Sequence, residues 1–483
     1  MWSVWQYGLL IALSTLVDYT AGLLLARTSA NDRLDNQQKT ARRRRWILLI
    51  SLAMNLGILA YFKYTDFFID SFIDFLIETG MATFTAYERQ SSLLRLILPI
   101  GISFFTFQSM SYTIDVYRDV IPAEKSLLRF ALFISFFPQL VAGPIVTARE
   151  FLPQLDRLPV FDLETMRRGL RYFALGYFKK VVLADNMAPI VDQIYSHPQV
   201  WDTGAHWVGA LAFWVQVYGD FSGYSDMAIG TALLLGFNLP ENFRLPYLST
   251  SVTEHWQRWH MSLIRWNRDY VYIPLGGSQV SYWRHKWNVW LTMFLAGVWH
   301  GANWTFAIWG AIHGTFLVVE ALFASWRKAR ARRTDQHASV ARVPGRYFRP
   351  GVKGVLRTLL AFGVTSFITV FFGTMFRSNS IQDSLLIMLR LLGLDNPGLL
   401  QVVSSSLPAH SLLQSVSNST LQQLGWSVAA ILGGHILGWW IFEKGKLHWQ
   451  PPAWAEFCLL ALWIGFCMQL GFSGVAPFIY FQF

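Results

Sequence analysis

The chain has 483 residues, of which 53% are hydrophobic, 16% are aromatic and only 14% are charged. Soluble domains carry about 25% charged residues, so this composition excludes an ordinary soluble protein. The mean hydropathy is +0.33, and stretches such as 46–61 and 454–472 approach the ~20 apolar residues that cross a hydrocarbon core. The composition therefore predicts an all-α polytopic membrane protein, with the lipid bilayer as its first partner.

The net charge of +11 comes from clusters of basic residues between apolar runs. The strongest clusters are 39–45 and 326–357. Basic residues beside spans are typical of cytoplasmic loops, so we place both clusters in the cytoplasm and the polar segment 377–424 outside it. This clustering fixes orientation in a membrane and gives no reason to expect a nucleic-acid partner.

Apolar runs follow one another along the whole chain. They lie at about 5–26, 46–62, 66–80, 92–114, 127–147, 169–190, 205–236, 287–325, 355–376, 425–442 and 453–473. We expect about 10–12 spans or part-spans, because several runs are long enough to be bent or double. The first run has no basic segment before it and no small-residue cleavage site after it, which favours a first span over a removed signal peptide.

We treat 1–483 as a single transmembrane domain. Within it we distinguish N-terminal spans, a core that carries the motifs, a basic cytoplasmic loop and C-terminal spans. These parts cover residues 1–90, 91–325, 326–357 and 358–483.

The segment 238–277 combines aromatic and charged side chains and does not read as an ordinary span. A helix over 251–268 would bring Glu254 close to Arg258. Polar groups at membrane depth cost several kcal/mol each unless they are paired or hydrated. Two interpretations stay open: a membrane-surface helix with aromatic anchors, or a polar site that dips into a wet cavity.

Two histidines, His300 and His313, lie in an almost uncharged run with Gly297, Gly301 and Gly310 around them. A neutral imidazole suits proton transfer near neutral pH, although a single buried histidine is more often structural. The two are 13 residues apart, which places them on different faces of one continuous helix. The glycines indicate close backbone approach or an opening for a ligand.

The motif YGDFSGYSD (218–226) carries two carboxylates, Asp220 and Asp226, inside an apolar run. They could line an acceptor path, but local hydrogen bonds to neighbouring hydroxyls are the preferred interpretation. Gly219 and Gly223 have the spacing that most often means close helix packing.

Six ordered motifs resemble the membrane-bound O-acyltransferase family, and within it the bacterial branch similar to alginate O-acetyltransferase. They are LPIGISFFTFQSMSYTIDVYR (98–118), FFPQLVAGPI (136–145), GYFKKVVLADNMA (176–188), YGDFSGYSDMAIG (218–230), the stretch 254–277 and LAGVWHGANWTFAIWGAIHG (295–314). The resemblance implies a ring of about 10–12 tilted helices, with re-entrant or interfacial helices, around a central funnel. The teichoic-acid D-alanyl transferases are the nearest relatives outside this branch.

The resemblance also implies the site. The family's nearly invariant histidine maps to His300 in the Trp299–His300–Gly301 motif, and the second family histidine maps to His260. We expect His260 to be the spatial neighbour of His300. The implied donor is a cytosolic acyl thioester, with acetyl-CoA the natural one, and the implied acceptor is an extracytoplasmic polysaccharide. An extracytoplasmic partner of the SGNH-hydrolase type and a bacterial inner-membrane location are further implications.

Acyl transfer to a hydroxyl needs a base for the alcohol proton and donors for the tetrahedral oxyanion. We expect His300 to act as the base and keep Asn303, Trp299 and His260 as oxyanion candidates. Further substrate-path candidates are Arg268, Asp269 and His313. Cys458 and Cys467 form no metal-binding motif, and we expect neither a metal ion nor a tightly bound cofactor. Transfer of D-alanine or another acyl group by the same fold, and a transporter or flippase, remain the alternatives.

Overall fold

The computed structural model describes residues 6–31, 37–85, 88–89, 91, 96, 98–157, 162–334, 352–394, 416–444, 451–474 and 476–479. Within these ranges the chain is helical and contains no β-strand, which confirms the predicted all-α class. The middle of the basic loop (335–351) and much of the segment 377–424 (395–415) lie outside the described residues. The sides of the membrane assigned to them stay predictions.

The longer helices are numbered here in chain order. They are α1 (Gln6–Asn31), α2 (Gln37–Glu78), α3 (Ile102–Tyr117), α4 (Leu127–Ser135), α5 (Leu163–Tyr177), α6 (Asp185–Ser196), α7 (Thr203–Leu234), α8 (Val252–Arg258), α9 (Met261–Asn267), α10 (Tyr282–His300), α11 (Trp304–Thr334), α12 (Val352–Arg377), α13 (Ile381–Leu391), α14 (Asn418–Lys444) and α15 (Ala453–Leu470). Two wider π-helical turns, Phe178–Ala184 and Arg268–Tyr272, continue α5 and α9.

Six helices in the described part of the chain are long and apolar enough to cross a membrane: α1, α2, α11, α12, α14 and α15. The protein is therefore a multi-pass membrane protein. The two apolar runs at 46–62 and 66–80 belong to one continuous helix, α2, of 42 residues. The intervening residues 63–65 are polar but include neither glycine nor proline, so nothing interrupts the backbone hydrogen bonds. The total of 10–12 spans or part-spans stays a prediction.

The chain divides into two compact units, and the single-domain organisation with its internal boundaries stays a prediction. The first unit comprises residues 1–169 and 228–240. In it, α1 packs against α2 and α3. The carboxylate of Asp18 joins these helices by accepting hydrogen bonds from Ser51 (2.5 Å), Asn55 (2.8 Å) and Thr113 (2.9 Å).

The second unit comprises residues 170–227 and 241–483 and holds every candidate site residue. Its central feature is the tight pairing of α10 with α11. A Cβ atom on Gly297 would lie 2.7 Å from the Cα atom of Gly310, and one on Gly310 would lie 2.9 Å from the Cα atom of Gly297. These glycines therefore serve close backbone approach, one of the two roles expected for them.

Close packing also joins α5 to α7 within the second unit. A Cβ atom on Gly223 would lie 2.7 Å from the carbonyl oxygen of Gly176, which confirms the packing role predicted for this glycine.

The two carboxylates of the YGDFSGYSD motif are paired with lysines of the first π-helical turn. Lys179 Nζ lies 2.6 Å from Asp226 Oδ2, and Lys180 Nζ lies 2.6 Å from Asp220 Oδ1. Asp220 Oδ2 also accepts a hydrogen bond from the backbone N–H of Ile479 at 2.6 Å. The preferred interpretation of purely local hydrogen bonds therefore missed two long-range ion pairs, which sequence separation hides.

Candidate active site

His300 is the last residue of α10 and lies at the turn into α11. Gly301 ends the helix in an extended conformation (φ −159°, ψ 155°). The imidazole is 4% exposed. It meets the rings of Trp309 and Phe376 edge-on, with centroid distances of 5.6 and 5.1 Å. The base candidate is thus held among aromatic rings at a helix end.

His260 interrupts the segment 251–268, for which a single helix was considered. α8 ends at Arg258 and α9 begins at Met261, with His260 between them in the left-handed region (φ 45°, ψ 49°). The segment therefore forms two helices and not one. The reason is a contact with the preceding loop, because the backbone N–H of Met261 donates to the carbonyl oxygen of Asn242 at 2.9 Å. The predicted pairing of Glu254 with Arg258 is confirmed at 3.2 Å.

The side chain of Asn242 fixes the tautomer of His260. Asn242 Oδ1 accepts hydrogen bonds from the backbone N–H of Ser262 (3.2 Å) and from its hydroxyl (2.8 Å). Asn242 Nδ2 donates to the Ser225 hydroxyl at 3.1 Å. The third contact of Asn242 Oδ1, with His260 Nδ1 at 3.1 Å, must therefore be donated by the imidazole N–H.

The other nitrogen of His260 then carries a lone pair. His260 is fully buried, and its Nε2 has no hydrogen-bond partner within the described residues. Burial lowers the pKa of His260 well below its ordinary value, so the ring is neutral. An unsatisfied buried acceptor of this kind is costly unless a ligand or another group uses it.

The two family histidines are neighbours, as expected. The ring centroids of His260 and His300 are 6.3 Å apart. Trp299 lies beside both, with centroid distances of 6.2 Å to His260 and 5.1 Å to His300. Residues 40 positions apart in the sequence are thus brought into one cluster.

His300 also lines a small cavity of about 70 Å³. Its walls are aromatic, and they include the imidazoles of His255 and His313 together with the indoles of Trp214, Trp256, Trp259 and Trp309. The buried Nε1 of Trp214, Nε1 of Trp256 and Nδ1 of His313 have no hydrogen-bond partner among the described residues. The cavity therefore combines apolar ring faces with a few polar atoms that can still form hydrogen bonds.

His313 belongs to this cavity rather than to the pair of family histidines. Its ring packs against Trp256 (5.3 Å) and Trp309 (4.8 Å), measured between centroids. Trp309 also contacts His300, so that one indole lies between the two imidazoles. The sequence argument that His300 and His313 face different ways agrees with this arrangement.

The remaining candidates have local partners. Asn303 Nδ2 donates to the carbonyl oxygen of Asn379 (2.8 Å), and its Oδ1 accepts from the N–H of Thr305 (3.0 Å) at the start of α11. Arg268 and Asp269 form an ion pair of 2.7 Å, in which the Arg268 side chain is 58% exposed. None of Asn303, Arg268 and Asp269 lines the cavity beside His300. The oxyanion role of Asn303 and the substrate-path roles of Arg268 and Asp269 therefore stay predictions.

Sequence reasoning missed several residues of this site. Asn242 was not singled out, and nothing in its spacing marks the contact with His260. Trp309 and Phe376 belong to apolar runs in which any aromatic residue reads as a membrane anchor. The motif LAGVWHGANWTFAIWG contains Trp309. Its position nine residues after His300 in this motif was the one signal in the sequence that could have identified Trp309 as a site residue.

Chemically, the cluster offers a buried imidazole next to a cavity, with a second imidazole whose lone pair is oriented by an amide. Such a site can remove a proton from a hydroxyl and return it to a leaving group. The aromatic walls make the surroundings of His300 less polar than water, which strengthens electrostatic interactions there.

Residues 2–349 match the family model described as membrane-bound O-acyltransferase family. The chain is 43% identical over 321 residues to "Probable alginate O-acetylase AlgI" of Azotobacter vinelandii, covering 66% of this chain and 60% of that relative. It is 30% identical over 520 residues to "Peptidoglycan O-acetyltransferase" of Helicobacter pylori, covering 100% and 89%.

A more distant similarity is to "Teichoic acid D-alanyltransferase" of Streptococcus thermophilus, with 30% identity over 242 residues, 46% of this chain and 56% of that relative. The chain thus spans less than two thirds of the length of the alginate relative, at 60%. Its match to the peptidoglycan relative runs over nearly the whole of both chains.

Proposed function

Because the chain belongs to the membrane-bound O-acyltransferase family, we propose that it transfers an acetyl group from a thioester to a hydroxyl of an extracytoplasmic polysaccharide. The observation that carries the proposal is the pairing of His300 with His260, 6.3 Å between centroids, beside an aromatic cavity. The names of two of the relatives, an alginate O-acetylase and a peptidoglycan O-acetyltransferase, support acetyl as the group and a polysaccharide as the acceptor.

In the proposed reaction, His300 removes the proton from the acceptor hydroxyl while the hydroxyl oxygen attacks the thioester carbonyl. The tetrahedral intermediate collapses with loss of the C–S bond, and the thiolate takes the proton back from the imidazolium. A general base contributes typically 10²–10⁴-fold in rate. His260 has its Nε2 lone pair available and stabilises the imidazolium through its position next to His300.

The donor and the partners are further parts of the proposal. We propose acetyl-CoA as the donor, used as a substrate and not as a tightly bound cofactor. The acceptor is an exopolysaccharide of the alginate or cellulose kind, reached with the help of an extracytoplasmic SGNH-hydrolase-type protein. The proposed location is a bacterial inner membrane.

The experiment is acetyl transfer from radiolabelled acetyl-CoA by the protein in nanodiscs, with an alginate oligosaccharide as acceptor. We expect the wild type to form labelled ester and His300→Ala to lose at least about 10²-fold of the rate, because the base is gone. The matched control is His197→Ala, at a histidine that is exposed and lies outside the site.

Equal rates for wild type and His300→Ala would contradict the role of His300. Absence of labelled ester with the wild type, both alone and with membranes of a polysaccharide-acetylating strain that lacks this protein, would contradict the proposed reaction. Transfer from a D-alanyl thioester in the same assay would favour the D-alanyl alternative. The similarity to the teichoic-acid enzyme is the reason to test this donor.

A further inference from the structure

The cavity beside His300 is a feature that the proposed acid–base chemistry does not use. It has a volume of about 70 Å³ and is walled mainly by large aromatic rings. A cavity of about 150 Å³ holds benzene, which has six heavy atoms, so about 70 Å³ accommodates about three. An acetyl group has three heavy atoms, whereas a D-alanyl group has five.

The walls also constrain the chemistry of the occupant. None of the described residues that line the cavity carries a carboxylate, and the faces are indole and phenyl rings. A charged ammonium would lose its hydration there without a counter-charge, which costs several kcal/mol. An acetyl group suits these walls better, because its methyl can contact the rings and its oxygen can accept from indole N–H groups that have no partner among the described residues.

We propose that this cavity receives the acyl group and restricts the enzyme to two-carbon donors. The inference rests on the proposed function and adds its size selection. Trp309 and Phe376 form the boundary shared with His300, and their rings lie 5.2 Å apart between centroids. Gly373 and Val370 line the same cavity, three and six residues before Phe376 on α12. We assign the depth of the cavity to these two positions, because they line it without an aromatic ring in contact with His300.

The α12 wall provides matched variants in both directions. Val370→Ala removes two carbons from the wall, and its control is Val364→Ala on the same helix, where the side chain is 51% exposed and lies outside the cavity. Gly373→Val adds a side chain to the wall. A Cβ atom at Gly373 meets no heavy atom within 4 Å, so the added group occupies open space instead of displacing a neighbour. Its control is Gly363→Val, also on α12 and equally unobstructed.

The experiment measures kcat/KM for acetyl-, propionyl- and butyryl-CoA with each variant in nanodiscs. One methylene in an apolar pocket changes specificity by about 10–200-fold, so we expect the wild type to prefer acetyl over propionyl by at least about tenfold. Val370→Ala should reduce that preference by about tenfold or more and admit propionyl, while Val364→Ala keeps the wild-type preference. Gly373→Val should lose acetyl transfer while it remains folded, and Gly363→Val should retain it.

Three results would overturn the inference while leaving the proposed function intact. One is acetyl transfer by the wild type with an equal rate for propionyl and butyryl donors. Another is an unchanged donor preference in Val370→Ala together with full acetyl transfer in Gly373→Val. A Gly373→Val variant that raises only the KM for the oligosaccharide would assign the cavity to the acceptor, which also overturns it. Failure of the wild type to transfer acetyl would remove the proposed function and this inference together.

Discussion

At the scale of single residues, the site depends on Asn242 as much as on the two histidines. Its amide oxygen faces the Ser262 N–H, so it can only accept from His260 Nδ1. The Nε2 lone pair of His260 is thereby kept in place beside His300. An amide that orients an imidazole is a positioning residue, comparable to the carboxylates and carbonyls that orient metal-bound histidines.

We predict that Asn242→Ala lowers kcat by about 10–100-fold, by analogy with the loss of such orienting partners. The KM for the thioester should change little, because Asn242 does not line the cavity. The measurement is steady-state acetyl transfer over pH 6–9. A freed His260 can change tautomer, so the acidic limb of the pH profile should move as well.

The control for this prediction is Gln257→Ala, whose side chain is exposed on α8. A purely structural role for Asn242 would leave the pH profile of the residual activity unchanged, and that outcome would refute the positioning role. Conservative replacement by Asp should restore part of the rate, because its carboxylate still accepts from His260 Nδ1.

At the scale of elements, the sequence predicted which residues meet but not how the backbone brings them together. The family motifs identified His300 and His260 as neighbours, because such motifs can be recognised in the sequence without knowledge of the backbone. The break at His260 was not predictable, because local propensity over 251–268 favours a helix and the competing hydrogen bonds come from a loop 18 residues earlier. Likewise, the apolar runs at 46–62 and 66–80 alone do not reveal that α2 continues through the residues between them.

The crossing of α10 and α11 is the element that positions His300, and it leads to a prediction at Gly297. A Cβ atom there would lie 2.7 Å from Gly310 Cα and equally close to the backbone of α11, so Gly297→Ala must push the helices apart. We expect a destabilisation of about 1–3 kcal/mol, typical of overpacking, and a loss of activity through displacement of His300. Thermal unfolding in nanodiscs and acetyl transfer measure the two effects.

Gly433→Ala on α14 is the matched control, because a Cβ atom there meets no atom within 4 Å. It should leave both the midpoint of unfolding and the rate close to those of the wild type. If Gly297→Ala behaved in the same way, the contact between the two glycines would not be what holds His300 in place.

At the scale of the whole molecule, a low content of charged residues predicted the membrane class but did not reveal which polar groups are buried. Histidines illustrate the difference. His255 lies on α8 and His260 lies between α8 and α9, outside the six candidate spans, and both are buried. The sequence left a solvated surface helix and a polar site as alternatives, and the burial of these imidazoles shows that at least this face of the segment is internal. Burial is a property of packing between distant elements, which residue spacing in one segment does not reveal.

This burial makes the stability of the protein depend on pH. Burial lowers the pKa of His255 to about 4 and that of His260 well below its ordinary value near 6.5. The unfolded chain therefore binds more protons than the folded chain below about pH 6.5. The stability contributed by the neutral imidazoles is complete above about pH 6.5 and is lost as the pH falls towards 4.

Between pH 7 and 5 we expect the free energy of unfolding to fall by about 2 kcal/mol for each histidine. Unfolding midpoints in nanodiscs at both pH values measure the total loss, and His255→Gln should reduce it by the contribution of one imidazole, about 2 kcal/mol. An equal loss in wild type and His255→Gln would show that the unfolding transition does not protonate His255, and the pH dependence would then have to come from other groups.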